Sequence, residues 1–591
     1  GVEIHFENQQ DQILNRAEVA SLKALYRDEN GRLFSSPVAN SSDGQGSEIL
    51  DPTGRWSPFG SLKSAFPDSD RPQAVLGFAV ASPVLGLAEG LRKLSLTLTF
   101  QPQEGLLAKL QSLHLNSSFR FFLSGEKDWI EAIPGFPIQD NEKVDELILA
   151  FINNAKSWVD IAGIEPQSGP VLDDPETGVH KPFRGYDIGE VVAKNLLAKR
   201  DSLPEKRFKE LKELDQVRGF GPDKLADLNY TFRTQKHELK NLGSAGVQLI
   251  LKCHLIPDQA AVVGYSEEVL LQKIKTQQSV LKVQLAETSQ SYSYPILEDA
   301  SLNSVHLHVD VEGVSQLILQ NDLAPLPVGK NIHPFGFRPV SGSSFYIGSR
   351  EVFSKQLLSL KLHADWHGLP SDEKGFTDYY DGYSGSRSNE NFTVKADFLN
   401  DKIWKTTNNA LRLFEQNNKL ANSQSYALDL KTLGNIPKEP ELEPIGTYSP
   451  DRTRGFVRLT LNGSDFGHST YPMVFATQII KKSKDEKPED VPLPNEPYSP
   501  ELKSIRLDYT AEETFQVKED PWNSFYHLDA FGEARQPQFP CPLLPKWKAE
   551  GSLLIGLKNH LPGQSIQLLI HVLDGSSNPE LAVPPVSWSY L

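Results

Sequence analysis

Sulfur is almost missing from this chain. Its 591 residues include two cysteines, Cys253 and Cys541, and one methionine, Met473. At most one disulfide is possible, so no disulfide framework holds the fold. A four-cysteine zinc site within one chain is excluded. Positive charge is also in deficit. There are 60 basic against 76 acidic residues, a net charge of -16. That balance disfavours free-standing binding to nucleic acid or to an anionic membrane surface. Long apolar runs are lacking too. The longest, 74–88, falls short of the roughly 20 residues a spanning helix needs and is broken by Gly77, Pro83 and Gly86. It reads as buried strand and turn, and no membrane insertion is expected. The first residues carry Glu3, Glu7 and Asp11 where a secretory signal would be basic and then apolar. Residue 1 is Gly, and the last six residues form an apolar pattern with no stop signal, so the chain reads as a fragment of a longer polypeptide.

What is present is a multi-domain α+β pattern. Apolar residues make up 39% and charged residues 23%, the balance of a globular protein. Leu94, Leu96, Leu98 and Phe100 alternate with polar residues, as do Val305, Leu307 and Val309, and again Leu358, Leu360, Leu362 and Ala364. Period two places each set on one face of a strand. Residues 119–123, 502–510 and 553–573 read as further strands, with a turn at Asn40–Gly44. Val144, Leu147, Ile148, Phe151 and Ile152 recur at helical spacing. Helices are expected over 142–160, over 187–200 with Asp187 as N-cap, over 203–215, and over 470–482. Five prolines between Pro488 and Pro500 favour extended backbone and a stiff connector. This divides the chain into a β-rich domain at 1–135, a helical segment at 136–235, a β-rich domain at 236–420, a mixed segment at 421–482, a linker at 483–500 and a C-terminal β unit at 501–591.

Catalytic signatures are not found. There is no nucleophile elbow, no P-loop and no strand-borne glycine fingerprint. Cys253 and His254 are adjacent on a strand and point to opposite faces. No catalytic residue, cofactor or metal is assigned, and the chain is expected not to be an enzyme. Two rows have ligand-type residues on one strand face: His363, Asp365 and His367, and His306, His308 and Asp310. A solvent-facing polar row is the favoured reading of the same spacing, and neither row belongs to a ligand signature. The Val217–Ala226 stretch resembles the glycine turn of a helix-hairpin-helix. Its acidic flanks favour a tight helix–helix turn instead, and no nucleic-acid partner is expected.

The distinctive segments are aromatic and glycine-rich. One runs from His333 through Phe335 and Phe337 to Phe345 and Tyr346. Another holds Phe466, His468 and Tyr471, and a third centres on Tyr498. Rigid loops of this kind suit aromatic anchors at a partner surface, so these nine residues are the candidate interface positions. Together with 37–44, 77–83, 158–163, 186–192, the Gly219 turn, 495–500 and 507–510, they resemble, in order along the chain, the baseplate J-like wedge proteins of contractile injection systems. The closest likeness is to the version in extracellular, phage-tail-like particles.

The resemblance implies a structural wedge subunit that links a spike-bearing hub to the sheath and rearranges to trigger contraction. Its implied partners are other wedge subunits, a second copy of itself, and hub, spike and sheath-base proteins. Its implied setting is cytoplasmic assembly into a particle that is then released or anchored. No catalytic residue comes with it. The alternative is a surface-binding tail-fibre or adhesin module. That class usually shows repeats, and none is visible.

Overall fold

A computed structural model describes chiefly residues 76–137, 141–161, 188–228, 234–286, 293–433, 446–516 and 524–546, with short gaps inside these ranges. It also describes the backbone of strands at 2–7, 18–27, 33–38, 171–173, 180–182, 551–558 and 567–572. The Asn40–Gly44 turn, Asp187 and Pro488 lie outside the described residues.

The α+β expectation holds. Two larger antiparallel sheets dominate. The first runs in the order Ser423–Leu428, Leu357–His367, Glu501–Gln516, Leu302–Val314, Leu91–Phe100, Val247–Leu255, Trp129–Pro134, Phe119–Ser124, Val280–Leu285, Gly77–Ala81, Phe525–Leu528 and Ala534–Arg535. Alternation is what builds it. Leu94, Leu96, Leu98 and Phe100 are buried, and so are Val305, Leu307, Val309 and Val311 on the neighbouring strand. The 74–88 run is a fully buried strand at Gly77–Ala81 followed by a single 3-10 turn at Pro83–Leu85. Ser82 caps that turn, its Oγ accepting from Val84 N at 3.1 Å.

The second sheet is six-stranded, in the order Pro325–Leu326, Ile318–Asn321, Ser344–Gly348, Phe456–Leu461, Thr393–Asn400 and Ile403–Arg412. It packs face to face on one end of the first. Leu362, Ala364, Trp366, Leu502 and Ile505 from one side meet Phe345, Val394, Leu411 and Leu459 from the other. The first sheet therefore cuts across the six-part division. Glu501–Gln516 sits between Leu302–Val314 and Leu357–His367, and strand 567–572 pairs with strand 2–7.

Three local expectations need correction. Leu358 does not share a face with Leu360. It is 45% exposed, because the register with the Glu501–Gln516 strand slips between Leu357 and Ser359 and the bulge turns it outward. The 203–215 helix is a short 3-10 helix at Leu211–Gln216. Pro204 disfavours helical backbone at the residue before it, and Lys206 has a φ of 51°. The proline-rich stretch is a packed strap over its described part, residues 491–500. Pro494, Tyr498 and Pro500 are buried.

The helical segment has its own core. Helix Asn141–Asn154 buries Val144, Ile148 and Ile152, one turn apart. They meet Ala193 and Leu196 of helix Glu190–Ser202, together with Phe208, Leu214 and Phe220. The Gly219 turn closes this unit. It has φ 85°, Val192 lies 3.2 Å from where a Cβ would sit, and the Phe220 amide is spent on Val217 O at 3.0 Å. That is the geometry of a helix–helix turn.

Buried charge ties distant loops to the first sheet. Arg92, fully buried, donates to the carbonyls of Ile256, Gln259 and Ala260 at 2.7, 2.9 and 2.8 Å. Lys355 donates to Gly86 O and Glu351 O at 2.8 and 2.7 Å, and burial pushes its ammonium down to about 8. Glu351 receives the Tyr509 hydroxyl at 2.7 Å and the Ala88 amide at 2.9 Å. Each ion is met by hydrogen bonds, which offset the cost of removing it from water.

Candidate partner interface

The candidate segments converge on one end of the second sheet, where they part into a buried set and an exposed set. Phe335, Phe345, Phe466 and Tyr498 are buried, at 6, 1, 0 and 7% exposure. They are core residues and cannot serve as partner anchors. Phe345 packs edge-on to Phe335 at 6.3 Å. Phe466 stacks on Phe392 at 4.5 Å, and Tyr498 lies 5.3 Å from Phe376 in the same nest with Phe414.

Hydrogen bonds lock this nest to the strap. Tyr498 Oη donates to His367 O at 2.7 Å. Tyr380 Oη accepts from Tyr498 N at 3.1 Å and donates to Phe466 O at 3.0 Å. Tyr383 Oη donates to Asn495 O at 2.6 Å, and Tyr379 Oη to Glu496 O at 2.8 Å. Burial pushes the Tyr380, Tyr383 and Tyr498 hydroxyls well above the ordinary phenol range, so they remain donors.

His333, Tyr346, His468 and Tyr471 are half-buried. His333 Nδ1 lies 3.1 Å from Pro500 O, and its ring meets Phe337 at 4.2 Å. Tyr346 stacks on Tyr448 at 4.7 Å and donates to Asp322 Oδ1 at 3.2 Å. Tyr471 stacks on Tyr383 at 6.3 Å. His468 Nε2 is 3.4 Å from Ser499 Oγ, and burial lowers its affinity for a proton.

Only Phe337 of the nine stands out into solvent, at 72%. Gly336 puts it there. Its φ of 81° turns the chain after Phe335 plunges inward, and Gly336 N closes the turn on His333 O at 3.0 Å. The base is rigid, because Ile332 and Leu502 exchange both backbone hydrogen bonds, at 2.9 and 2.8 Å. Other large apolar residues that the sequence reading missed are exposed too: Leu323 at 84%, Val340 at 55% and Val328 at 50%. Leu323 reaches over Gly336, its Cδ1 3.6 Å from an ideal Cβ there. Helix Tyr471–Lys484 likewise exposes Met473, Ile479 and Ile480, and none of its residues is buried. Proline-flanked apolar residues at 323–328, and a helix with apolar residues on every side, were the signals available.

The metal-type rows also part company. Asp365 is held by Ser423 Oγ at 2.6 Å, by Ser504 Oγ and by Arg506 at 3.6 Å, while His363 pairs with Asp508 at 2.6 Å and His367 points to solvent. That row brings no three ligands together. In the other row Asp310 turns to Lys93 at 3.4 Å. Glu512, across the sheet from His308, takes the place beside His306 and His308. Cys253 and His254 do point apart. Burial raises the Cys253 thiol, and His254 Nδ1 lies 2.8 Å from Gly135 O.

Residues 294–591, just over half of the chain, match the family described as baseplate protein PVC11-like. The chain belongs to that family. No curated protein matches it. This PVC11-like chain is therefore a baseplate component of a contractile injection system, and its association with other baseplate components follows. The matched region contains the whole second sheet, the aromatic nest, the strap and an exposed apolar crown of Leu323 and Phe337 at the Gly336 turn. Among the described residues no helix is long and apolar enough to cross a membrane.

Proposed function

We propose that the chain is a structural wedge subunit of the baseplate. In this reading it contacts other wedge subunits, a second copy of itself, the spike-bearing hub and the base of the sheath. It carries no catalytic step, and it moves as a rigid body when the baseplate rearranges to trigger contraction. Family membership carries the reading. The exposed crown supports it, because Leu323 and Phe337 are solvated large apolar side chains at the braced Gly336 turn, and Val328 and Val340 are exposed in the same matched region. Apolar clusters left in solvent by a folded chain mark surfaces that another protein covers. The centres of such surfaces carry most of the binding energy. Packed sheets and short connections suit rigid-body movement between two arrangements.

The crown can be tested in particles. Leu323→Asp combined with Phe337→Asp should leave the purified chain folded, since both side chains are already solvated. It should sharply reduce sheathed particles counted by negative-stain electron microscopy. Wild-type particle numbers would remove the crown from the assembly surface.

A further inference from the structure

The first sheet carries a cluster that the assembly role does not use. His306 and His308 are two residues apart on Leu302–Val314, so their rings stand on the same face, opposite the buried Val305, Leu307 and Val309. Glu512 of the adjacent Glu501–Gln516 strand lies directly across from His308. One donor atom from each of the three falls within 4.8 Å of the others, and His306 Nε2 is 3.5 Å from Glu512 Oε2. Around a tetrahedral zinc, with bonds of about 2.0–2.1 Å, donors sit about 3.3 Å apart. His306 and Glu512 already have that spacing. The His306 and Glu512 side chains are 32 and 39% exposed.

A second observation points the same way. His306 Nδ1 is 2.8 Å from Thr514 Oγ1. A hydrogen bond at one ring nitrogen is how metal-binding histidines are oriented, since it fixes the ring and leaves the other nitrogen aimed at the metal. Thr514 stands directly opposite His306 in the ladder, so the strand pairing supplies this partner. Asp310, the carboxylate two residues beyond His308, is drawn off by Lys93, which makes Glu512 the carboxylate of the set.

We propose that His306, His308 and Glu512 bind a divalent transition metal, zinc by the chemistry of two imidazoles and one carboxylate. Three protein donors on an open sheet face leave a fourth position to water. The metal staples two neighbouring strands that are far apart in sequence. It needs no part of the wedge assignment, and it would stand if that assignment failed.

The test uses the purified full chain, stripped with a chelator and titrated with zinc alone and cobalt alone. Calorimetry should give one zinc equivalent, and cobalt should give the intense visible bands of four-coordinate geometry. The thermal midpoint should rise with zinc and fall back with chelator. His306→Ala and Glu512→Gln should each abolish the stoichiometric step with the circular dichroism spectrum unchanged. Thr514→Val should weaken binding by about 10–100-fold. Absence of a stoichiometric step in the wild type would overturn the proposal. So would binding of equal strength in the wild type and both ligand variants.

Discussion

Single residues decide how this chain responds to acid. His237 is buried against Phe119 and Phe121, and its Nδ1 accepts from the Lys252 amide at 3.0 Å. Burial first, and the Lys252 charge second, push its imidazole down to about 4. An unfolded histidine titrates near 6.5. Between those values the unfolded chain binds a proton that the folded chain refuses. The stability is therefore fully present above about pH 6.5 and is lost as pH falls toward 4. His254 and His527 are shifted the same way, mainly by burial. Replacing His237→Gln should remove one proton from the linkage, a slope change of up to about 1.4 kcal/mol per pH unit. Chemical denaturation between pH 6.5 and 4.5 measures it. Parallel curves for wild type and variant would show that His237 is not the titrating group.

At the scale of elements, the strap is the test case. Its prolines predict extended backbone, and extended backbone is what forms. Composition alone could not show that Tyr498 is driven into a nest assembled from Phe376, Phe392, Phe414 and Phe466, residues 32–122 positions away. Tyr498→Ala should cost about 3–5 kcal/mol, the usual loss for an aromatic cut from a core. Tyr498→Phe keeps the ring and gives up the hydroxyl's backbone hydrogen bonds, that to His367 O first, about 1 kcal/mol. Equilibrium denaturation separates the two. Equal small losses would mean that the strap is a free spacer after all.

The same distinction explains what the sequence revealed about the elements. Strands with clean alternation, such as Leu91–Phe100 and Leu302–Val314, and helices with i, i+4 apolar residues, such as Asn141–Asn154, were readable because one periodic signal fixes both type and facing. Leu358 was misplaced because a bulge depends on the partner strand. The aromatic segments stand out by composition, yet periodicity carries no information on which ring faces inward. Only Phe337 of the nine stands out into solvent, through the positive φ of Gly336. Glu512 was missed as a neighbour of His306 and His308 because it arrives from a strand some 200 residues later.

For the whole molecule, one sheet gathers strands from residues 77 to 535 and a second packs against it, so distant stretches of chain share one core. The helical unit at 141–228 keeps a separate core. The shared core of the two sheets presents the apolar crown at a braced turn, which suits a part that moves as a unit inside an assembly. The most direct test of the wedge reading is electron microscopy of particles from cells lacking this gene. The account predicts that intact sheathed particles disappear, leaving bare tubes or free sheath, and that a plasmid copy restores them. Particles that assemble and contract normally without the protein would contradict it.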